Sequence, residues 1–534
     1  MNKKRLICII AALLAASSLA GCGGGSNGTN KTATAVNVEK TTSDSYPIQT
    51  DKKITYWVAL SGHVSSHYQS LNETPLAKDL IEKTGINVEF LHPAAGQETQ
   101  QLGLLVASND VPDIIETNWA TYTGGPEKAI KDGTIVGLNN ILDTVSPNLK
   151  KLFDENPEYA KACQTENGLT YVYPFVIGDD ILQTFMGPMV RKDLLEKYGL
   201  EAPETIEEWD HMLRTFKENG VSVPLTLRMN ASKFADMSPF IGAYGVGGSF
   251  YVEDGKVKYG PYEEKYRDFI TLMRDWYSEG LLDPNFTDTD TKRLTSIIAN
   301  GECASAFGSA GGDFGQWIPA AQAQNPEAEF VPVKYPVLQK GETPKFGQKN
   351  LPVNGYGAAI SGKSENIEIA ARFLDYGYSE AGHMTYNFGK EGESYNMVDG
   401  KPVYTDIVTK DENGIGPGMG RYIRACYNGP FVQDKEYLLQ FYTMPEQLEA
   451  VQLWAQTDTL EYKLPNAPMT EEENKEYAKI MKDIDTYVEE VMFKTITGKL
   501  ALEDLDTYYA ELKSRGIERA IELQQIAYDR YMAK

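Results

Sequence analysis

The chain has 534 residues, of which 42% are hydrophobic and 24% are charged. These are the proportions of a globular protein of two to four domains or large lobes, and they exclude wholesale disorder, collagen and coiled coil. Seventy-five acidic and 51 basic side chains give a formal net charge of −24, which would repel phosphate backbones and anionic lipid surfaces. The composition therefore argues against nucleic acid as a partner unless the fold gathers a local basic patch.

The first 21 residues have the pattern of a secretory signal peptide. Basic residues at positions 3–5 precede an apolar stretch at 6–14, which is shorter than the ~20 residues of a membrane-spanning helix. Residues 19–22 have the sequence Leu-Ala-Gly-Cys, which resembles the bacterial lipobox, where cleavage precedes the cysteine and the thiol receives lipid. We therefore expect a lipid on Cys22; the alternative is a plain secretory signal with an incidental cysteine.

The segment 22–51 is predicted to be a flexible tether. It is rich in Gly, Ser, Thr and Asn up to residue 45, and such a composition cannot bury an apolar core. Three further cysteines follow in the mature chain, Cys163, Cys303 and Cys426, with no Cys-x-x-Cys spacing. Their odd number predicts buried free thiols, with one adventitious pair as the alternative.

The folded body is expected to begin at about residue 52 with an α/β pattern. Alternating apolar residues predict a strand at 54–58, and further strands are expected at 86–91 and 111–115. Helical spacing predicts helices at 76–83 and 102–107 between them. Strands and helices that alternate in this way favour a lobe with a largely parallel sheet.

The pattern recurs along the rest of the chain. Thr205 and Glu208 form one N-terminal capping box and Thr470 and Glu473 form another. Helices and strands are expected from apolar periodicity at the following positions: helices at 193–198, 266–279, 367–374, 505–513 and 517–531, and strands at 304–307, 329–333 and 355–360. A long amphipathic helix is expected after Thr470, so the C-terminal 65 residues are predicted to be helical.

The sequence has no intact motif for catalysis, metal binding or cofactor binding. The sequence contains no nucleophile elbow, phosphate-binding loop or dinucleotide fingerprint. His63 and His67 lie four residues apart but follow a strand, and Asp288 and Asp290 begin a calcium-like loop that Lys292 interrupts. We therefore expect no metal, no cofactor and no catalytic residue. A pair of carboxylates for glycoside hydrolysis is not excluded, because the sequence does not show the distances between acidic side chains.

Thirty-two tyrosines and six tryptophans suggest stacking on the flat faces of sugars. Asn118 and Trp119 follow the third predicted strand, and ligands bind beyond the carboxyl ends of parallel strands. Trp317 follows a glycine-rich approach, Asp180 lies just beyond the first predicted crossing between lobes, and Tyr356 is flanked by two glycines. These five are the predicted ligand-binding residues; packing within each residue's own lobe is the alternative.

Eight stretches of the sequence occur in a recognisable order, at residues 111–115, 168–174, 187–195, 203–209, 300–304, 389–395, 485–487 and 527–530. In this order they resemble the family 1 extracellular solute-binding proteins of carbohydrate ABC importers, in their large Gram-positive lipoprotein branch. They span nearly all of the chain beyond the tether. One departure is that residues 218–222 stand where many branch members carry a calcium-loop-like insertion, so no calcium is expected there.

The resemblance implies an α/β, two-lobed periplasmic-binding-protein-like fold of type II, with a ligand cleft between the lobes and a helical C-terminal extension. By analogy, residues 52–175 and 334–395 form lobe one, and residues 176–333 and 396–534 form lobe two. It also implies a monomeric receptor on the outer face of a Gram-positive cell membrane. Such a receptor closes around a mono- or oligosaccharide and delivers it to the permease subunits of an ABC importer.

Two other functions stay open from the sequence. An exported glycoside hydrolase or lyase would share the aromatic enrichment and the export signal. A receptor for a non-sugar solute such as a peptide would share the two-lobed shape. The sequence does not identify the sugar. An acidic sugar would need Arg or Lys in the cleft, and Arg191, Arg421 and Arg424 are available for this, although most arginines lie at the surface or in ion pairs.

Overall fold

Two β-sheets lie at the centres of two lobes, and the chain visits them in turn. The computed structural model describes residues 33–227 and 239–534, so the predicted signal peptide, Cys22 and the first part of the predicted tether lie outside the described residues. The elements of the first segment are β1 (Lys53–Trp57), α1 (Gly62–Ser65), α2 (Pro75–Thr84), β2 (Asn87–Leu91), α3 (Glu98–Ser108), β3 (Ile114–Asn118), α4 (Gly125–Lys131), α5 (Asn139–Val145), α6 (Pro147–Glu155), α7 (Pro157–Ala162) and β4 (Tyr173–Pro174).

The second segment builds the other sheet and the helices around it. Its described elements are α8 (Asp180–Gln183), β5 (Met186–Arg191), α9 (Lys192–Tyr198), α10 (Ile206–Glu218), β6 (Val223–Leu225), β7 (Phe250–Glu253), β8 (Lys256–Tyr259), α11 (Tyr266–Ser278), α12 (Thr291–Ala299), β9 (Cys303–Ser309), α13 (Gly315–Gln324) and β10 (Phe330–Pro332). The capping box predicted at Thr205 and Glu208 is confirmed at the start of α10.

The remaining chain returns to the first sheet with one strand and then becomes mostly helical. Its elements are β11 (Tyr356–Ile360), α14 (Ile367–Tyr376), α15 (Glu380–Phe388), β12 (Tyr395–Val398), β13 (Lys401–Tyr404), α16 (Asp406–Thr409), α17 (Ile415–Tyr422), α18 (Lys435–Phe441), α19 (Pro445–Trp454), α20 (Thr459–Tyr462), α21 (Glu471–Ile496), α22 (Leu505–Ser514) and α23 (Ile517–Ala533). The second capping box, Thr470 with Glu473, is confirmed at the start of α21.

Sheet A, the sheet of lobe one, has the strand order β2-β1-β3-β11-β4. β1 is parallel to β2 and β3, whereas β11 runs antiparallel to β3 and β4. Ile54 and Tyr56 are fully buried, as the alternation in β1 predicts. The third strand is shifted from its predicted position: it covers Ile114–Asn118 rather than 111–115, so Glu116 lies inside the strand and is buried.

Sheet B, the sheet of lobe two, has the strand order β10-β5-β9-β6. β9 is antiparallel to β5 and parallel to β6, and β10 closes the other edge on β5. Every strand of sheet A falls within the residues predicted for lobe one, and every strand of sheet B falls within 176–333.

Three chain segments cross between the lobes side by side. The Val176 N–H donates to the Phe431 carbonyl over 3.1 Å, and the Gln433 N–H returns to the Val176 carbonyl over 2.9 Å. The Ile177 N–H donates to the Pro352 carbonyl over 2.8 Å, which joins the middle crossing to the first. These backbone hydrogen bonds hold the three crossing segments together.

The last segment divides between the lobes, although the sequence assigned all of 396–534 to lobe two. α17 packs against α1 of lobe one, and Arg424 forms an ion pair with Glu116 of β3. Only from α19 onward does the chain pack on β5 and β10. The physical reason is the charge of Glu116, because a carboxylate buried in a strand needs a cation beside it.

The structure also corrects the predicted tether. Residues 33–51 are described, and they lie on lobe one in contact with α14 and α5 rather than as a free linker. Ile48 has only 2% of its surface exposed. All three described cysteines are free thiols, as predicted; Cys163 and Cys303 are buried and Cys426 is half-buried.

Candidate functional site

The carboxyl end of β3 brings together three of the five predicted ligand-binding residues. Asn118 ends β3 and lies opposite Tyr356, the first residue of β11, while Trp119 opens a single 3-10 turn directly after the strand. The Trp119 N–H donates to the Gly355 carbonyl over 3.0 Å. The Asn118 Oδ1 accepts the Ala120 N–H over 3.1 Å, so the turn is fixed to the neighbouring strand.

Trp119 is fully buried at this strand end. Its ring packs against Tyr122, with 5.4 Å between ring centroids, and no part of it is exposed. Within the described residues its indole N–H has no hydrogen-bond acceptor, which is unusual for a buried donor. Asn118 and Tyr356 are half-buried. In this conformation, therefore, Asn118 and Tyr356 expose part of their surface, whereas the Trp119 indole lies in the layer beneath them.

A buried ion pair supports this strand end from below. The Arg424 Nη1 donates to the Glu116 Oε2 over 3.0 Å and its Nη2 donates to the Oε1 over 2.5 Å. The Tyr356 hydroxyl donates to the Glu116 Oε1 over 3.1 Å, and the Tyr56 hydroxyl donates to its Oε2. Glu116 therefore holds β3, β11 and the 424–428 loop together.

The electrostatics of the pair follow from its burial. Burial alone would lower the pKa of the Arg424 guanidinium, but the Glu116 carboxylate beside it raises that pKa well above its usual value. Burial, together with the same carboxylate, raises the pKa of the Tyr356 hydroxyl well above its ordinary range. The charge of Glu116 is compensated by Arg424, and Tyr356 stays a neutral hydrogen-bonding group at all physiological pH values.

The three arginines that an acidic ligand would need are each engaged with a carboxylate of the protein. Arg191 binds Asp193 through Nε and Nη2, each over 2.6 Å. Arg421 donates to the Asp411 Oδ2 over 3.3 Å. With Arg424 bound to Glu116, each of these three guanidinium groups has a carboxylate partner within the protein.

Asp180 and Trp317 lie apart from this strand end. Asp180 is exposed on α8, just after the first crossing segment, where neighbouring Asp179 forms an ion pair of 3.0 Å with Lys435 of the third crossing. Trp317 is fully buried in lobe two, where its indole N–H donates to the Thr295 hydroxyl over 3.3 Å. A Cβ on Gly308 would lie 2.5 Å from the Trp317 ring, so β9 leaves room for it.

An open pocket of about 440 Å³ on lobe one contains the second residue of the histidine pair. His67 Nε2 lies 2.9 Å from the Asp411 Oδ1. Burial would raise the pKa of Asp411, but hydrogen bonds from Asn413, His67 and Arg421 hold that pKa below its usual value. His63 instead packs against α17. Within residues 33–227 and 239–534, no group of three or more His, Cys, Asp or Glu side chains is arranged to hold a metal ion.

Sequence reasoning missed the role of Glu116 and Tyr427. The strand was expected to end at residue 115, which left Glu116 in a polar loop. The Arg424 guanidinium lies 5.3 Å from the centre of the Tyr427 ring, and the Tyr427 hydroxyl is buried without a partner among the described residues. The available signal was an acid directly after two isoleucines, since a charge in an apolar strand predicts a buried counter-charge.

Comparisons with known proteins assign the chain to a family. The sequence profile of the bacterial extracellular solute-binding proteins matches residues 70–384. The chain belongs to this family. Its members bind a solute rather than transform one, so this solute-binding protein is not an enzyme.

A curated relative and two solved structures are similar over most of the chain. The fructooligosaccharide ABC transporter substrate-binding protein FusA of Streptococcus pneumoniae is 25% identical over 91% of this chain and 92% of its own. The alginate-binding protein AlgQ2 has a TM-score of 0.73 at 24% identity, over 90% of this chain and 99% of its own. FusA in complex with kestose has a TM-score of 0.71 at 21% identity, over 90% of this chain and 100% of its own. The predicted two-lobed α/β fold is thereby confirmed.

Proposed function

We propose that this solute-binding protein captures a neutral oligosaccharide between its lobes and delivers it to the permease of an ABC importer. Its relatives and structural neighbours supply the class of ligand, an oligosaccharide: their names include fructooligosaccharide-binding and melibiose/raffinose/stachyose-binding proteins for neutral sugars, and an alginate-binding protein for a uronate polymer. A neutral ligand is favoured because the three arginines Arg191, Arg421 and Arg424 are each paired with a carboxylate of the protein. A uronate ligand would have to compete with Asp193, Asp411 or Glu116 for a guanidinium group.

The strand end of β3 is the proposed sugar-contacting surface of lobe one. Asn118 offers part of its amide and Tyr356 offers a ring edge, and both are half-buried on neighbouring strands, while the Tyr356 hydroxyl is bound to buried Glu116. Trp119 would support them and donate its free indole N–H when the ligand or a water reaches it. Asp180 would accept hydrogen bonds from sugar hydroxyls beside the first crossing, and Trp317, which is fully buried, would support the surface of lobe two from within. Sugar hydroxyls need planar polar partners of this kind, and sugar faces need aromatic rings.

Binding is proposed to act through lobe closure. The ligand binds the closed arrangement more tightly than the open one and shifts the population toward it, and the three crossing segments supply the hinge. The protein is proposed to act as a monomer at the outer face of a Gram-positive membrane, held by lipid on Cys22. Among the described residues, no helix combines the length and the apolar character that crossing a bilayer requires.

A ligand panel tests the proposed function. Titration calorimetry on the mature chain carrying Cys22→Ser would compare neutral oligosaccharides, uronate oligosaccharides and peptides, and chromatography after long incubation would look for cleavage products. We expect saturable binding of a neutral oligosaccharide and no new product. Tighter binding of a uronate or a peptide would refute the ligand class, and release of smaller sugars would favour the exported-enzyme alternative.

The lipid anchor is tested separately in cells. Cys22→Ser should release the protein from the membrane fraction into the medium, because the acyl chains supply the membrane affinity. Retention of the variant in the membrane with lipid attached would contradict the proposed anchor.

A further inference from the structure

Residues 33–51 bind one end of α14 through a single carboxylate. The Glu368 Oε1 accepts the N–H groups of Thr41 and Thr42, each over 2.8 Å, and the Thr42 hydroxyl over 2.7 Å. The Thr41 hydroxyl donates to the other oxygen, Oε2. Four hydrogen bonds to one carboxylate are a specific recognition of this segment, because bonds to a charged acceptor are about twice as strong as neutral ones.

One turn further along α14, a buried guanidinium holds the next residues. Arg372 is fully buried. It donates to the Ser43 carbonyl, to the Asp44 Oδ1 over 3.1 Å and to the Thr42 hydroxyl over 3.3 Å. Its own carbonyl accepts the Tyr46 hydroxyl over 2.6 Å. The segment thus supplies most of the partners of a charge that would otherwise be costly to bury.

Both ends of the segment are fixed to lobe one as well. The Val36 N–H donates to the Gly137 carbonyl over 3.2 Å, and the Ile48 N–H donates to the Thr84 carbonyl over 2.8 Å. Gly85 follows with a φ of +72°, and a Cβ there would lie 2.2 Å from the Ile48 oxygen, so only glycine accommodates this close approach. The partners lie on α2, α5 and α14, all of which belong to lobe one.

We infer that α14 clasps residues 33–51, the anchor segment, through Glu368 and Arg372. The folded body is therefore attached to its lipid from Ala33 on lobe one and not from residue 52. This inference rests on the lipid at Cys22 in the proposed function. The chain between Cys22 and Ala33 can span at most about 40 Å, whereas a linker reaching residue 52 could span about 100 Å. The clasp thereby keeps the receptor close to the bilayer, where its effective concentration at a membrane permease is higher.

Trypsin digestion of the full-length protein in isolated cell membranes tests the clasp. Cleavage after Lys40 reports whether the segment is docked, and mass spectrometry of the peptides gives its rate. We expect slow cleavage in the wild type and about tenfold faster cleavage in Glu368→Ala, because a charge-assisted bond network that opens more often exposes the site.

Glu365→Gln is the matched control. It removes an exposed charge just before α14 that makes none of the hydrogen bonds described, so it should be cleaved like the wild type. Equal cleavage rates in all three proteins would overturn the clasp. Arg372→Lys is a second variant that keeps the charge and loses the forked geometry; it should also accelerate cleavage.

Failure of the lipid anchor gives a different result. In that case the protein would appear in the soluble fraction before trypsin is added, while the difference between the Lys40 cleavage rates would persist. If the lipid anchor is correct and the clasp is wrong, all of the protein is in the membrane fraction, and the wild type and the variants are cleaved after Lys40 at the same rate.

Discussion

At the residue scale, Glu116 and Arg424 share a site with almost no exposed surface. Their side chains are 0% and 3% exposed and come from parts of the chain that lie 308 residues apart. Removing one partner of such a pair leaves an uncompensated buried charge, which costs more than the pair contributes when intact.

Arg424→Met should therefore lower the free energy of unfolding by about 3–5 kcal/mol, measured by urea titration. Adding Glu116→Gln to it should restore part of the loss, because the double variant buries no charge. Arg421→Met is the control, since its partner-bound guanidinium is partly exposed and its loss should cost less. A double variant that is less stable than Arg424→Met would contradict the buried-pair account.

Trp119→Ala should chiefly affect folding. A fully buried indole loses contacts on every side when it is truncated, so we expect a loss of about 3–5 kcal/mol in the free energy of unfolding. Binding measured at low temperature, where the variant stays folded, should also weaken if the strand end contacts the ligand. Trp454→Ala, a fully buried tryptophan of lobe two, is the control that should lose stability but retain ligand affinity. Unchanged affinity in both variants would remove Trp119 from the proposed site.

At the element scale, the docked N-terminal segment is part of the fold of lobe one. A chain that begins at Lys52 should be less stable than one that begins at Ala33. The loss should reach at least the ~1.5–3 kcal/mol of burying Ile48, because truncation also removes the partners of Arg372. Differential scanning calorimetry of the two chains measures the difference. Identical melting temperatures would show that the segment adds nothing to stability.

The C-terminal helices carry an ion pair whose contribution depends on pH. The hydrogen bond from Arg530, more than any other group, lowers the pKa of Glu473 to about 2. A carboxyl group whose folded pKa lies below its unfolded value near 4.5 stabilises the protein above pH 4.5. That contribution is lost as the pH falls toward 2.

Arg530→Met should accordingly cost about 1–3 kcal/mol at pH 7, with a difference from the wild type that shrinks between pH 4.5 and pH 2. Thermal melts across that range measure it. Arg519→Met, which breaks a more exposed pair with Glu476 on the same two helices, should cost less. A difference that does not depend on pH would contradict the assignment to Glu473.

Local patterns predicted elements well where neighbours in sequence determine the structure. The alternation in β1 and the capping boxes at Thr205 and Thr470 are confirmed, because each depends on residues within a few positions. The end of β3 was misplaced because Glu116 is compatible with a strand only through Arg424, a partner that no local window contains. The tether was misjudged for a related reason: composition measures apolar burial, whereas this segment docks largely through polar bonds to Glu368 and Arg372.

For the site, the sequence brought three of the predicted residues to one strand end, although it placed that end at residue 115 instead of Asn118; their contact with a ligand stays a prediction. Asn118, Trp119 and Tyr356 do lie together, because β11 pairs antiparallel with β3 and its first residue therefore lies opposite the carboxyl end of β3. Which ring faces solvent depends on side-chain packing across the whole lobe. The sequence therefore could not show that Trp119 is covered while Tyr356 is half-exposed.

At the scale of the whole molecule, two sheets joined by three crossing segments predict a ligand-linked change of shape. We expect a smaller radius of gyration by small-angle scattering when the bound oligosaccharide saturates the chain from Ala33. The melting temperature should rise as well, since ligand at 100 times its dissociation constant adds about 2.7 kcal/mol of stability. A rise in melting temperature without compaction would show binding without closure.

The last helix shows where an optical reporter of sugar binding should be inserted. Arg530 lies 3.0 Å from Glu166 of lobe one, and Lys161 of lobe one lies 4.2 Å from the centre of the Tyr531 ring. The docked residues after Ala33 also lie on lobe one, whereas the last helix packs on β8 of lobe two as well, so fluorescent proteins fused at these two ends would not report the two lobes separately. A sensor would instead need one fluorophore at the exposed residues 339–342 and its partner on lobe one. The sequence assigned 339–342 to lobe one, but the preceding Val337 pairs with the start of α10 in lobe two.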